Sequence, residues 1–249
     1  MGKKGLTFCL LVCFLLCLTM GNAVANGQRA QIYSIELTNE IDMGLAVIVE
    51  RGMKEAEENN VAAVIIKIDT FGGLSVAATR IKDAIIFSPV PVITFVDGRA
   101  WSAGALIALA GDYLVMVPGA SIGDAEPIPN TEKNRTAIRA EFRATAEKRG
   151  KDPTIAMAMV DKDIYIEDVV EKGKLLTLTA AGAEIHGISD ATVVSFQEVL
   201  RYFEFEDYEI VKVKPRSIEN FARAVTNSWL SGILLTIGFV GLFVEVTTP

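Results

Sequence analysis

Two runs, VAAVIIKID (61–69) and PVITFVD (91–97), limit the fold more than any other feature of the 249-residue chain. Both are apolar and β-branched almost throughout. A strand with one wet face alternates polar and apolar residues, whereas a continuous apolar run belongs to a strand covered on both faces. Such strands occur in parallel sheets, whose crossovers are helices. Helical spacing of apolar residues appears where those crossovers belong, in TNEIDMGLAVIVERGMKEAEENN (38–60), with Thr38 as N-cap, and in LSVAATRIKDAIIFS (74–88). QIYSIEL (31–37) and DYLVMVP (112–118) read as further strands, and GASIG (119–123) as a turn-rich loop. The alternation predicts an α/β fold, a layered and mainly parallel sheet with helices, in one domain over 30–215.

Beyond residue 130 the chain is more polar. TEKNRTAIRAEFRATAEKRG (131–150) reads as a charged helix capped by Thr131, and DPTIAMAMVDKD (152–163) as a shorter one. LTLTAAGAEIHGISD (176–190) reads as a strand end, a short helix and a glycine stop. VSFQEVLRYF (194–203) is a small amphipathic helix and YEIVKVKP (208–215) a late strand.

Both ends carry membrane signals. Lys3 and Lys4 precede the apolar run GLTFCLLVCFLLCLTM and the small-residue segment GNAVAN, which predicts a signal peptide over 1–25, cleaved after Ala25. Cys9, Cys13 and Cys17 all lie inside it, so the processed chain would hold no disulfide, catalytic thiol or cysteine metal site. Lys and Arg number 24 against 31 Asp and Glu, for a net charge of −7. Loss of Lys3 and Lys4 makes it more negative still, which disfavours nucleic-acid binding. Near the other end, residues 216–228 read as a juxtamembrane helix. WLSGILLTIGFVGLFVEV (229–246) has Glu245 as its only charge and predicts a transmembrane helix over 229–247, with Trp229 at the interface. The stop at Pro249 suggests a chain cut short of further spans.

The residue inventory narrows the chemistry. His186 is the sole histidine and lies at the end of a short helix before a glycine, where it reads as a surface or capping residue. A histidine-rich metal site is thereby excluded, and no phosphate-binding or dinucleotide fingerprint is present, so no metal or cofactor is expected. The acidic EAEEN (55–59) reads as a solvated helix face. Ser102, within GRAWSAGALIALAGD (98–112), follows a strand and opens an apolar helix. Its hydroxyl would lie near the helix's positive end, and Ala103 would offer an N–H with no internal partner. TFGG (70–73), at the end of the preceding strand, would supply a second donor. Two donors around a serine make an oxyanion hole; the same residues also read as a plain helix cap beside a Gly-Gly turn. A nucleophilic serine without histidine needs a lysine base. Lys133 stands in the first turn after the GASIGDAEPIPN loop and is the best placed, although it also reads as an exposed helix-start lysine. Lys148 and Lys151 fall in a solvated run, and Lys162 lies just beyond the helical segment.

IDTFGG, WSAGALIALAGDYLVMVPGASIGDAEPI, AEKRGKDPTIA and LTAAGAEIHGISD together resemble the membrane-bound serine proteases of the NfeD family. The resemblance runs from about residue 31 to the C-terminus. It implies a ClpP/crotonase-like fold and a Ser-Lys dyad, with Ser102 as nucleophile and Lys133, counted back from Gly150, as base. It carries the oxyanion donors to the backbone N–H groups of Gly73 and Ala103. It also implies a membrane-tethered serine endopeptidase with its catalytic domain outside the cytoplasm, at least dimeric, cutting hydrophobic stretches of membrane proteins, with stomatin-like proteins as partners. His186 lies in the wrong segment for the Ser-His-Asp arrangement of ClpP. The chain departs from the family pattern at Phe71, where proline is usual, at Trp101, where a small residue is usual, and in a short loop between Ser102 and Lys133. These departures suit a non-catalytic membrane scaffold of the same fold. A crotonase-type acyl-CoA enzyme uses similar amides but needs neither export nor Lys133.

Overall fold

A computed structural model of the chain describes residues 30–205, 207–226 and 228–247. The predicted signal peptide and its three cysteines lie outside the described residues. The elements follow in the order β1 (Gln31–Thr38), α1 (Met43–Glu58), β2 (Ala63–Thr70), α2 (Ser75–Ile86), β3 (Val92–Trp101), α3 (Ala103–Leu109), β4 (Tyr113–Met116) and β5 (Ser121–Gly123). Then come α4 (Glu132–Lys148), α5 (Pro153–Ala158), β6 (Thr177–Thr179), α6 (Ala180–Ile185), β7 (Ala191–Thr192), α7 (Phe196–Tyr202), β8 (Glu209–Lys212), α8 (Ser217–Thr226) and α9 (Ser228–Thr247).

The strands form one sheet in the order β6-β5-β3-β2-β1-β8, with β4 pairing β3 and β7. Every pairing is parallel except β5 with β6. Ile65, Ile66 and Ile68 of β2 and Ile93, Phe95 and Val96 of β3 are at most 1% exposed, as the unbroken apolar runs require. Each such side chain contributes roughly 1.5–3 kcal/mol by leaving water.

β3 is longer than its run implies. It pairs β2 and β4 through its first half and β5 through Arg99–Trp101. The register with β2 shifts between Ile68↔Val96 and Thr70↔Ala100, so β3 carries extra residues opposite Asp69. Gly98 allows the bulge, since a Cβ there would lie 2.5 Å from Asp69 Oδ1. The Asp69 carboxylate accepts the Arg99 N–H at 3.0 Å. The bulge bends the strand toward β5 and sets Ser102 at its end. Two expectations are corrected here. GASIG is not wholly loop, because Ser121–Gly123 continue the sheet. The cap of α1 is Asp42, whose carboxylate accepts the Leu45 N–H at 2.7 Å; Thr38 is occupied as the last residue of β1, opposite Asp69.

All seven residues of α3 are buried. At its C-terminal end Arg149 Nε donates to the Ala110 carbonyl at 2.6 Å, Nη2 donates to the Ile85 carbonyl at 3.4 Å, and Nη1 pairs with Asp112. One guanidinium thus satisfies the ends of both α3 and α2. Arg149→Ala is expected to lower stability by roughly 1–3 kcal/mol, because the Ala110 carbonyl then stays buried without a donor among the described residues, while the Ile85 carbonyl keeps the Ser88 N–H. A urea midpoint within error of wild type would exclude this role.

α8 and Arg216 just before it dock on α1 and its cap through Arg51–Glu219 (2.7 Å), Glu55–Arg216 (2.7 Å) and Asp42–Arg223 (2.9 Å). Hydrogen bonding to Arg51 holds the Glu219 carboxyl below the usual carboxylate range. In α9, Leu230–Thr247 has a mean hydropathy of 2.0 with none of the segment buried, long and apolar enough to cross a membrane.

Candidate active site

Ser102 has φ 53° and ψ −120°, a conformation that costs a non-glycine residue free energy. Its N–H donates to the Gly123 carbonyl at 2.9 Å, and its carbonyl accepts the Ala105 N–H at 3.0 Å. The strain is therefore held from both sides, by β5 and by α3. The serine stands at the N-cap position but its side chain makes no capping hydrogen bond. The side-chain-cap reading is corrected: this backbone leaves the hydroxyl without a partner among the described residues.

The TFGG turn comes to the same point. Thr70 Oγ1 receives the Gly72 N–H at 3.0 Å and donates to the Asn39 carbonyl. Ile41 then clamps the two glycines, its N–H donating to the Gly72 carbonyl at 2.9 Å and its carbonyl accepting the Leu74 N–H at 2.8 Å. A Cβ on Gly73 would sit 2.2 Å from the Ile41 oxygen, and one on Gly72 would sit 2.7 Å from Ser102 Cβ. Only glycine allows both approaches. Neither the Gly73 nor the Ala103 N–H donates a hydrogen bond among the described residues.

Ser102, Ala103 and Gly73 line one cleft of about 320 Å³ with Phe71, Leu74, Ala78, Leu106, Ala125, Pro127, Ile128, Ile138 and Phe142. Glu40 and Glu126 also line it, and Glu126 pairs with Lys162 at 3.2 Å. The lining is mostly apolar with few polar groups, as in a site that orients a substrate. Phe71 and Trp101 meet edge to face at 5.4 Å between ring centroids. The Arg99 guanidinium lies over the Phe71 ring at 4.4 Å, and Trp101 Nε1 donates to Ser121 Oγ at 2.8 Å. Hydrogen bonding to Arg99 keeps the Asp69 carboxyl below its ordinary range. The two bulky departures therefore brace each other on the rim.

Lys133 is not brought to this cleft. It lies in the exposed first turn of α4, whose cap is Thr131 as expected. At about 100° per residue, Lys133 falls on the opposite side of the helix from Phe142, which is buried at 1% exposure. Lys151 is far more buried. Burial pushes its ammonium below its usual value, against the pull of Asp190 at 3.4 Å. It anchors β7 through Asp190, which also accepts the Leu114 N–H at 2.6 Å. His186 ends α6, outside the cleft lining. Among the described residues no group of three or more His, Cys, Asp or Glu is arranged to hold a metal ion.

Sequence reasoning missed Ile41, Arg99 and Phe142. Phe142 carried a signal, since Ile138 and Phe142 are apolar at i, i+4 in an otherwise charged helix. The clamp by Ile41 and the placement of Arg99 depend on sheet register and left none.

The chain is 35% identical to membrane protein NfeD1b of Bacillus subtilis, over 99% of this chain and 58% of that protein. It spans little more than half the length of the two curated relatives that it matches over most of its own length. The 1510-N membrane protease specific for a stomatin homologue from Pyrococcus horikoshii has a TM-score of 0.65 at 25% identity, covering 80% of this chain and all 100% of that one. ClpP1 from Listeria monocytogenes shares the fold at a TM-score of 0.54 and 20% identity, over 67% of this chain and 94% of that one. The model of the NfeD1b N-terminal domain matches residues 31–213, and the chain belongs to that family.

Proposed function

We propose that this chain is the catalytic part of a membrane-tethered serine endopeptidase. The observation that carries the reading is the strained Ser102, whose hydroxyl has no partner among the described residues, beside two backbone amides that donate no hydrogen bond among them, in one apolar cleft. Ser102 Oγ attacks the peptide carbonyl carbon while neutral Lys133 takes the hydroxyl proton. The amides of Gly73 and Ala103 hold the resulting oxyanion. The C–N bond breaks as Lys133 returns the proton to the leaving amine. Water, deprotonated by Lys133, then hydrolyses the acyl-enzyme.

The solvent-facing position of Lys133 means that the first turn of α4 and the loop before it must rearrange when substrate enters. Catalytic contacts commonly tighten only in the substrate complex. The apolar cleft suits hydrophobic stretches of membrane proteins, and the relative specific for a stomatin homologue supports a stomatin-like partner. In this reading the chain has a signal peptide over 1–25, a domain over 30–215 and a transmembrane helix over 229–247, and the cleft lies outside the cytoplasm on a membrane anchor. The family resemblance supports an assembly of at least two copies.

The test is peptide hydrolysis by the full chain in detergent, with a panel of apolar fluorogenic peptides. Lys133→Ala is expected to lower kcat by roughly 10²-fold or more, the usual worth of a general base. Lys133→Arg is expected not to restore it, because a guanidinium does not give up its proton. Undiminished hydrolysis in Lys133→Ala would remove Lys133 as the base. A wild-type chain inactive on every peptide would favour the non-catalytic scaffold, the reading that the outward-facing Lys133 supports.

A further inference from the structure

We propose that Arg223, on the membrane-proximal helix α8, is a positioning residue for the Gly73 amide, acting through Asp42 and Ile41. The inference rests on the proposed role of that amide at Ser102. Arg223 Nε and Nη2 both donate to Asp42 Oδ2, at 3.0 and 2.9 Å. The other oxygen, Asp42 Oδ1, caps α1 by accepting the Leu45 N–H at 2.7 Å. One carboxylate is thus held from two directions, by the first turn of α1 and by a helix just before the apolar segment.

The residue before Asp42 is Ile41, whose N–H and carbonyl make the two hydrogen bonds that flank Gly73. Gly73 packs so closely on that peptide that a Cβ would overlap it. A displacement of Asp42 therefore moves Ile41, and Ile41 has no freedom to move without the glycine turn beside Ser102. The path from α8 to the glycine turn is one ion pair, one covalent step and two hydrogen bonds.

Gly44 supports a selected contact. A Cβ at this position would lie 2.1 Å from Arg223 Cγ and 2.7 Å from Cδ. Glycine in the first turn of a helix is unfavourable relative to alanine. Here its absence of a side chain lets the Arg223 stem cross α1 and reach Asp42. The ion pairs Arg51–Glu219 and Glu55–Arg216, the second from the residue before α8, hold the helix to α1 without touching the 39–42 segment. Docking and positioning are therefore separable.

The experiment uses the full chain in lipid nanodiscs. Hydrogen–deuterium exchange is followed in the segment spanning 70–75, and Ser102 is labelled with a fluorophosphonate. Arg223→Gln removes the cation. Asp42→Asn removes the anion and keeps a competent cap. Gly44→Ala leaves both charges but pushes the arginine aside. Each is expected to speed exchange at 72 and 74, whose N–H groups are hydrogen-bonded, by about tenfold and to slow labelling by a similar factor, a fraction of the 10²–10³ loss of a whole oxyanion donor. The Asp42→Asn/Arg223→Gln double variant is expected to match either single one, as for two residues on one path. Glu55→Gln, which loosens docking alone, is expected to leave both readouts at wild-type values. Unchanged exchange in Arg223→Gln, or an equal change in Glu55→Gln, would overturn the proposal. If exchange follows the prediction while wild-type Ser102 takes no label, the positioning holds and the proposed chemistry at Ser102 fails.

Discussion

Ser102→Ala is expected to reduce peptide hydrolysis by roughly 10³-fold or more, since only binding and the oxyanion donors remain. Ser102→Gly is expected to lose as much activity and yet to be more stable than the alanine variant by about 1–2 kcal/mol. The reason is the backbone. At φ 53° a Cβ is crowded, and the strain relieved by glycine exceeds the extra entropy that glycine loses on folding. The pair of variants separates chemistry from conformation. If Ser102→Ala keeps wild-type hydrolysis the serine is not the nucleophile. If Ser102→Gly melts below Ser102→Ala, the conformation is not a stored strain.

Gly73→Ala is expected to cost about 2–4 kcal/mol, from backbone strain and from overlap with a main chain that cannot yield. A Cβ would stand 2.2, 2.6 and 2.8 Å from the oxygen, nitrogen and carbonyl carbon of Ile41. Ile41 is itself completely buried. To make room, the 39–42 segment must leave the turn and break both hydrogen bonds to it. Activity should fall with stability, and should stay low at temperatures where the variant is still folded by circular dichroism. A loss of unfolding free energy below about 0.5 kcal/mol in urea titrations would show that the clamp is loose, since surface substitutions away from such features already move stability by that much.

The strands were legible because β2 and β3 are buried on both faces and therefore apolar along their whole length. The Ser102 side of the site was legible for a related reason. Strand ends in a parallel sheet converge, and TFGG and WSAG are the two glycine- and alanine-rich ends. What escaped was everything fixed by register. The contact between Phe71 and Trp101 at 5.4 Å depends on the bulge opposite Asp69, which no local pattern in VDGRAW reveals. Sequence comparison with the family pattern singled out both residues as separate departures; in the structure they form one brace, with Arg99 on its other side. Lys133 illustrates a different loss. Its place in the first turn of a helix was correct, but position along a helix does not say which way a side chain faces. The apolar pair Ile138 and Phe142 says so, and it points away from Lys133.

The complete burial of α3 divides this site into two parts that can change at very different cost. Ser102 is carried by a helix with no idle face: Gly104 abuts Thr70, and Thr94 donates to the Ala108 carbonyl at 2.7 Å. Any enlargement within it would displace the serine along with the helix. Elsewhere the lining includes side chains that face water, with Phe71 65% and Ile128 98% exposed. Ile128 can be exchanged without touching that helix, whereas Phe71 is tied through Trp101 to the strand end that carries the serine. A cleft built in this way can change part of its lining with no need to rebuild the helix that carries the serine.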